Sequence, residues 1–527
     1  MKITVTEKKE KSKTLERLGQ QLLDEATKDI EKNKKIIKLP VNNKIVLQAL
    51  MEGEDGDAYL LIKLLKDRYV YDHAAAEWLY WNDHFWRLDK INHVTVLVKE
   101  VIDLYGEQKI YETFSLQQAE EDGDEKVITR HKFYIRLLEQ RIQSLRTLNR
   151  KKMILQLAAS GLNSLGITGE QWDQHPMLFC CRNGCIDLSE GIFQAGQPGD
   201  YLKTSSPIKW EEHDTPCPAW EKFLLQMFSN DQEVVDYIQR LLGYGVTGLN
   251  TEHVFPIFWG HAGRNGKGTL FETLKYILGD FAYKTPSNFL MEQNFKSGGN
   301  SPDSVTMGLF GKRIVWCSET NEKDRLDVAK LKELVGGDTL TARLPYAKRQ
   351  IEFTTTHLLL TITNRRPKVP ANDQPLWNRI HLIPLTNSFV NNPNPNNPNE
   401  FQADKKLLAK LKQEASGILA WLIRGCLIWQ EIGLKPPLSI NAATEEYREN
   451  EDILGDFVRE TCIVDDDKTL RVEPKILYEV YKNWCIEVGH HAMAKKRFLD
   501  DMKERFKMVK NRGYYYFIKI KLMEGGA

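Results

Sequence analysis

The sequence predicts an α/β core on an open parallel sheet, preceded by an α+β N-terminal domain and followed by a winged-helix-like unit. Three observations predict it. Beyond residue 253, the short apolar runs "HVFPIFWG", "RIVWCSE" and "HLLLTITN" each stop at a polar or glycine position, where an open α/β sheet gathers its chemistry. Between the first of these and the amphipathic "GTLFETLKYILG" lies "GRNGKGTL", so a strand, a glycine-rich loop and a helix follow one another as a phosphate-binding loop requires. Near the C-terminus, "EDILGDFVRETC", "EPKILYEVYKNWCIEVG" and "AKKRFLDDMKERF" read as helices. The hairpin "KMVKNRGYYYFIKIKL" follows them, giving the winged-helix pattern.

A chain of 527 residues is too long for one core. Its 42% apolar and 28% charged residues are ordinary for a globular protein, and a net charge of +1 puts any nucleic-acid surface in local patches. The first residues, "MKITVTEKKEKSK", have no apolar stretch behind their charges, and no run approaches the roughly 18 apolar residues of a membrane span. A cytoplasmic location is expected. With eight cysteines in so long a chain, free thiols are expected. "FCCRNGCIDL" lacks the spaced pairing of a zinc site and reads as two strands joined at Asn183-Gly184, with buried strand cysteines.

Residues 1–57 alternate lysine and glutamate and then turn acidic at "MEGEDGDA", which predicts a solvated helix and a linker. Residues 58–250 form the N-terminal domain, with a strand pair at "WLYWNDHFWRL" and helices over 135–160. One further helix is expected within "PAWEKFLLQMFSNDQEVVDYIQRLLGYG". The tryptophans and tyrosines there are expected in the core. Residues 251–390 are the nucleotide-binding core. In 391–450, the Asn/Pro-rich "VNNPNPNNPNE" is an exposed loop before a helical region whose "SGILAWLIRGCLIWQEIG" is a buried helix. Residues 451–527 are the winged-helix-like unit.

The loop departs from the usual pattern. Gly266-Lys267 is followed by Gly268, Thr269 comes one place late, and Gly260 stands one place before the expected first glycine. Lys267 is expected on the β- and γ-phosphates of ATP. Around it, the loop of Gly263, Arg264, Asn265, Gly266, Gly268, Thr269 and Leu270 would wrap them at a helix N-terminus. Thr269 offers the hydroxyl for Mg²⁺. Glu319, closing "RIVWCSE", is placed to hold the Mg²⁺ shell or polarise the attacking water, and Glu322 to share that role. Asn364 ends "HLLLTITN" with a neutral amide suited to orienting water. Arg379, in "LWNRIHLIPL", is the candidate arginine finger.

Together these residues resemble the superfamily 3 helicases of the phage and plasmid primase-helicase type, the group that includes the poxvirus primase-helicase. The resemblance runs from about residue 60 onward. "GRNGKGTL" resembles that family's Walker A motif and "RIVWCSETNE" its Walker B. "LKELVGGDTLTARLPYAKRQIEF" resembles its B-prime motif, "LLLTITNRRPKVP" its motif C and "QPLWNRIHLIPL" its arginine-finger segment. The resemblance implies an AAA+ P-loop motor that assembles as a homohexamer and pulls single-stranded DNA through a channel. It also implies replication of a phage, plasmid or other mobile element in a bacterial host. A pore hairpin within "ARLPYAKRQ" would grip phosphates with Arg343, Lys348 and Arg349 and meet a base with Tyr346. Lys495, Lys496 and Arg497, with Lys510 and Arg512 in the wing, are the DNA-binding candidates of the C-terminal unit. Many relatives carry an N-terminal primase-polymerase domain; here priming is expected from a separate primase or polymerase. Two rivals stay open: an ATP-switched origin-binding initiator, and a nucleotide phosphotransferase, since nucleoside monophosphate kinases also carry Gly-Lys-Gly-Thr.

Overall fold

The structure, a computed structural model, describes residues 42–261, 263–292, 304–318, 325–343 and 350–523. It opens on α1 (Asn43–Met51) and α2 (Glu54–Leu65), so the acidic run expected as a linker is helical and packed. The reason is electrostatic. Glu54, Asp55 and Asp57 fall in the first turn of α2, where carboxylates meet the positive end of the helix dipole. Asp57 is wholly buried, accepting from the Arg141 guanidinium and the Tyr105 hydroxyl, both at 2.8 Å, and from Arg150 at 2.6 Å. Removing one partner would strand a buried charge.

Strands β1 (Tyr69–Asp72), β2 (Glu77–Trp81) and β3 (Trp86–Leu88) follow, the last two being the expected strand pair. A helical hairpin comes next, α3 (Val94–Asp122) and α4 (Glu125–Leu145), turned at left-handed Gly123 and capped by Asp124. Then come α5 (Leu148–Ala158) and β4 (Gly166–Ile167), which completes the sheet β3-β2-β1-β4. Trp81, Trp86 and Trp172 are buried together against this sheet, as expected of core aromatics.

Strands β5 (Leu178–Cys181) and β6 (Gly184–Asp187) form the cysteine hairpin, whose two-residue turn is Arg182-Asn183, one place earlier than expected. Strand β7 (Ile192–Gln194) pairs with β6. All eight cysteines are buried thiols, and burial pushes the Cys217 thiol up to about 12. The single helix expected over 218–245 is two, α6 (Pro218–Met227) and α7 (Gln232–Gly245). Ser229 and Asn230 take left-handed backbone between them, and Asp231 caps the second through the Val234 amide.

The core is built on β8 (Phe255–Trp259), α8 (Lys267–Leu278), β9 (Ala282–Lys284), the helical turn α9 (Ser304–Met307) and β10 (Ile314–Ser318). It continues through α10 (Val328–Val335), the antiparallel hairpin β11 (Thr339–Ala342) and β12 (Ile351–Thr354), β13 (Leu358–Thr363), α11 (Gln374–Trp377) and β14 (Ile380–Pro384). The five-stranded sheet runs β14-β8-β13-β10-β9 with every neighbour parallel. Both faces are covered, which is why its strands are continuously apolar. Ile314 and Trp316 enter one core with α6, α7 and α8, while Val315 and Cys317 enter the other with α10 and the hairpin.

Strands β15 (Ser388–Val390) and β16 (Glu400–Gln402) close the Asn/Pro-rich loop. Helix α12 (Leu407–Gln413) leads to α13 (Ala415–Ile432), which lies against α7. The two helices cross at glycine: a Cβ on Gly243 would stand 2.2 Å from the Cys426 amide, and one on Gly425 2.2 Å from the Gln239 carbonyl. Helix α14 (Leu438–Glu451) leads into the C-terminal unit: α15 (Ile453–Thr461), β17 (Cys462–Val464), β18 (Arg471–Val472), α16 (Pro474–Glu487) and α17 (Lys495–Arg505). Strands β19 (Met508–Asn511), β20 (Tyr514–Ile518) and β21 (Ile520–Leu522) complete it, packing on a core of Phe457, Tyr481, Trp484, Phe498 and Phe517. Among the described residues no helix is long and apolar enough to cross a membrane.

His357, at the entry to β13, is 2% exposed, and neither ring nitrogen has a partner among the described residues. Burial pushes its pKa down to about 4. The unfolded chain binds the proton near pH 6.5 and the folded chain only near 4, so stability falls as pH drops through that window. The expected loss is up to about 3 kcal/mol. His357→Leu should therefore gain on the wild type by that order between pH 7 and pH 4 in urea melts. A constant difference between the two curves would refute the assignment.

Candidate nucleotide site

Strand β8 ends at Trp259 in register with Thr363 of β13, and the Gly260 amide donates to the Thr363 carbonyl at 3.1 Å. This pins the root of the glycine loop to the end of its neighbouring strand. The loop then turns through left-handed backbone at Gly263 (φ 69°), Arg264 (φ 51°) and Gly266 (φ 84°), the last being the N-cap of α8. A Cβ on Gly266 would lie 2.9 Å from the Phe223 ring, so that glycine is fixed both by conformation and by packing. Gly263 and Gly268 face open space, with nothing within 4 Å of a Cβ at either position.

Lys267 is the first residue of α8. Its Nζ donates to Asn364 Oδ1 at 2.8 Å, to the Gly260 carbonyl at 3.2 Å and to Asn265 Oδ1 at 3.3 Å. It pairs with no carboxylate among the described residues, and burial pushes it down to about 8. A cation that is partly desolvated, surrounded by neutral oxygens and set at a helix N-terminus fits an anionic phosphate. The displaced glycine now has a reason. A Cβ on Gly260 would fall 2.5 Å from Asn265 Oδ1 and 2.9 Å from Lys267 Nζ, closing the space into which the ammonium folds.

Four other expected residues find their places around this point. Arg264 is exposed at the mouth, and its carbonyl accepts from the Phe389 amide at 2.9 Å. Thr269 is half-buried on the first turn of α8. Asn364 is exposed at the end of β13, beside the loop. Asn265 is turned inward and 2% exposed, its amide donating to the carbonyls of Leu385 (3.2 Å) and Asn387 (2.6 Å). It therefore ties the loop to the segment after β14 while its oxygen receives Lys267.

Leu270 departs from expectation. Its side chain is wholly buried and its amide donates to the Gly266 carbonyl at 3.0 Å, so its N–H is spent within the helix and it does not line the site. Arg379 lies away from the loop, before the first residue of β14, and its carbonyl accepts from the Phe255 amide at 2.6 Å. Because β8 and β14 are parallel neighbours, it sits at the opposite end of the strands from the glycine loop, about 13 Å of strand away. Its Nη1 donates to the Pro375 carbonyl at 2.6 Å, and its Nε is buried without a partner among the described residues.

Glu319 and Glu322 lie outside the described residues, as do Tyr346, Lys348 and Arg349 of the expected pore hairpin. The stem of that hairpin, β11 and β12, is described, and Arg343 is partly buried at the end of β11. Sequence reasoning missed two cations here. Arg365 is exposed directly after Asn364. Arg366 lies over Trp259 at 4.8 Å and Tyr447 at 5.5 Å. The "TNRR" run following an apolar strand is the signal that would have found them.

Lys495, Lys496 and Arg497 are exposed on the first turn of α17, where three cations oppose the helix dipole. Lys495 lies over the Tyr478 ring at 5.9 Å, and Arg497 is 3.9 Å from Asp501. The later turns are committed elsewhere: Lys503 pairs with Asp500 at 2.9 Å, Arg505 holds Asp452, and Glu504 accepts from the Asn372 side chain of the core.

Three family models match in chain order. A "D5 N terminal like" model matches residues 58–229, a family of unknown function 258–379 and a "Poxvirus D5 protein-like" model 448–523. A candidate helicase of Acanthamoeba polyphaga mimivirus is 25% identical over 465 residues, covering 82% of this chain and 46% of that protein. One from Frog virus 3 is 23% identical over 398 residues, 62% of this chain and 40% of that one. A candidate primase of African swine fever virus is 24% identical over 258 residues, 47% of this chain and 27% of the relative. The chain thus spans less than half the length of these curated relatives. The apo C-terminal region of NrS-1 superposes with a TM-score of 0.45 at 14% identity, over 88% of this chain and 99% of that one.

Proposed function

Because the chain belongs to the primase-helicase-like family of the poxvirus D5 type, we propose that it is an ATP-dependent DNA helicase of DNA replication. In this reading residues 251–390 are a superfamily 3 motor of AAA+ type. The chain works as a homohexameric ring on single-stranded and forked DNA, in the cytoplasm of a cell hosting a phage, plasmid or other mobile element. A primase or polymerase is its partner in replication. The observation that carries the reading is the meeting of Lys267 and Asn364, 2.8 Å apart across the ends of neighbouring parallel strands. A nucleotide phosphate and the water that attacks it have to be handled at one point, and these two side chains are gathered there.

ATP bound with Mg²⁺ would supply the γ-phosphate whose hydrolysis drives motion, and the metal, which Thr269 and Glu319 would hold, would neutralise phosphate charge. The chain's own groups do the rest. Lys267 neutralises phosphate charge, with Asn265 holding its ammonium at the mouth of the loop. The Gly263 to Thr269 stretch presents amides at a helix N-terminus, and Gly268 leaves the approach open. Thr269 and Glu319 are assigned to the metal. Asn364 orients the lytic water without adding negative charge. Arg379 acts on the nucleotide of an adjoining subunit, and the hairpin carrying Arg343, Tyr346, Lys348 and Arg349 grips the strand. The C-terminal unit is assigned as a winged helix.

The test is strand displacement on forked DNA with ATP, with negative-stain imaging of the same sample. Rings together with displaced strand are the expected result. Rings that bind DNA and leave the duplex intact would replace the helicase with an ATP-switched initiator. A monomer that transfers phosphate to a nucleoside monophosphate would replace both.

A further inference from the structure

The C-terminal three-stranded sheet, β18-β20-β19, buries one face and leaves the other open. Its register sorts the side chains. Arg471 stands opposite Ile518, Val509 opposite Tyr516 and Asn511 opposite Tyr514, so these six share a face. The other face is buried at its base by Val472, Met508 and Phe517 and carries exposed Tyr515, with Lys510 over its ring, toward the hairpin tip. On the open face Tyr514 is 65% exposed, and the Arg471 guanidinium lies 5.0 Å from the centroid of the Tyr516 ring. From residue 507 to residue 523 the chain has five basic residues, Lys507, Lys510, Arg512, Lys519 and Lys521, and no acidic one. Of these only Lys519 is engaged in an ion pair among the described residues, with Asp466 at 2.6 Å. Exposed Arg512 sits at the turn in left-handed backbone (φ 48°) beside Gly513 (φ 92°), the geometry of a tight hairpin tip.

We propose that this face is a stacking platform for single-stranded DNA, with Tyr514 and Tyr516 each receiving one unpaired base and the surrounding cations receiving the phosphates. The spacing selects the ligand. Residues two apart on a strand stand about 6.8 Å apart, twice the ~3.4 Å rise of stacked bases in a duplex. Paired, stacked bases cannot seat on both rings, whereas an extended single strand presents successive bases at a wider interval. Base–aromatic stacking is indifferent to sequence, because every base has a π-face, and the Arg471 guanidinium, lying over one face of the Tyr516 ring, adds a cation at that seat and leaves the ring's other face to the base. Helix α17 offers less to a duplex groove, since its later cations are already paired. The proposal rests on the same DNA-handling role as the helicase reading but on a separate surface.

The 527-residue chain, without nucleotide, is titrated with fluorescein-labelled dT12 and with a 12-base-pair duplex, and wild type is compared with a Tyr514→Ala/Tyr516→Ala double variant. Loss of one stacked base costs roughly 5- to 150-fold in affinity, so the double variant is expected to weaken dT12 by at least tenfold and to lose most preference over duplex. Tyr514→Phe/Tyr516→Phe, which keeps both rings, should restore it. Photocrosslinking of wild type to an iododeoxyuridine-substituted dT12 provides a measurement that no misfolded variant can disturb, and adducts are expected on Tyr514 or Tyr516. Unchanged dT12 affinity in the alanine pair, or adducts confined to the core hairpin, would overturn the platform. A chain that shows tyrosine-dependent binding and no strand displacement would overturn the helicase reading and keep the platform.

Discussion

Lys267→Ala should abolish ATP hydrolysis, lowering turnover by at least about 10²- to 10³-fold, the cost of removing one preorganised charge from a developing phosphate anion. Four features of the site make the effect large. The ammonium has no carboxylate to neutralise it among the described residues, so its charge is available to the ligand. It is partly desolvated, which strengthens each interaction it makes. It is aimed by Asn265, whose amide is anchored on Leu385 and Asn387. And it bridges to Asn364 at 2.8 Å, so its loss also frees the residue assigned to orient water. Lys267→Arg should fail as well, because the space around Nζ is bounded by Gly260 and Asn265 and does not take a planar fork. Phosphate release under saturating Mg·ATP measures both variants, and thermal melting checks that each is folded. Since Lys267 holds no ion pair among the described residues, melting temperature should stay near that of the wild type. Turnover at the wild-type rate in Lys267→Ala would remove the site.

What the sequence made legible followed from short-range rules. β8, the loop and α8 were readable because an apolar strand, left-handed glycine positions and a helical stripe are each local. The loop's misfit to the usual pattern was readable too, but its reason was not: Gly260 matters because Asn265 and Lys267 fold back on it, a contact made by side chains five and seven residues away. Asn265 reads locally as a loop amide but is a clamp, because its partners lie 120 and 122 residues further on. The acidic stretch before residue 58 misled for the same reason. Asp57 looks like linker charge until Arg141 and Arg150 are brought to it across the helical hairpin. The break between α6 and α7 was hidden by apolar periodicity that continues across it, and only the left-handed Ser229-Asn230 pair betrays it.

Arg379→Ala should keep nucleotide binding and lose hydrolysis by about 10³-fold or more, the contribution of an arginine finger to phosphoryl transfer. The position of the residue makes this prediction unlike that for Lys267. Within one chain Arg379 stands at the opposite end of the strands from the loop, about 13 Å of strand away, with α11 and the start of β14 fixing its backbone. In the proposed ring that separation would put its own nucleotide beyond its side chain, and a head-to-tail neighbour would bring a phosphate to it. Its Nε is buried without a partner among the described residues, a cost that contact with a neighbour's anion would offset. Co-expression with Lys267→Ala forces mixed assemblies and separates the two roles. Neither variant alone turns over, yet in a random equal mixture about a quarter of the junctions pair an intact Lys267 with an intact Arg379. Hydrolysis should return to roughly that fraction of the wild-type rate. If Arg379 serves only its own chain, every subunit in the mixture carries one defect and no activity returns. The single assay thus decides whether the nucleotide is shared between subunits, and with it whether a ring is part of the chemistry or only of the packaging.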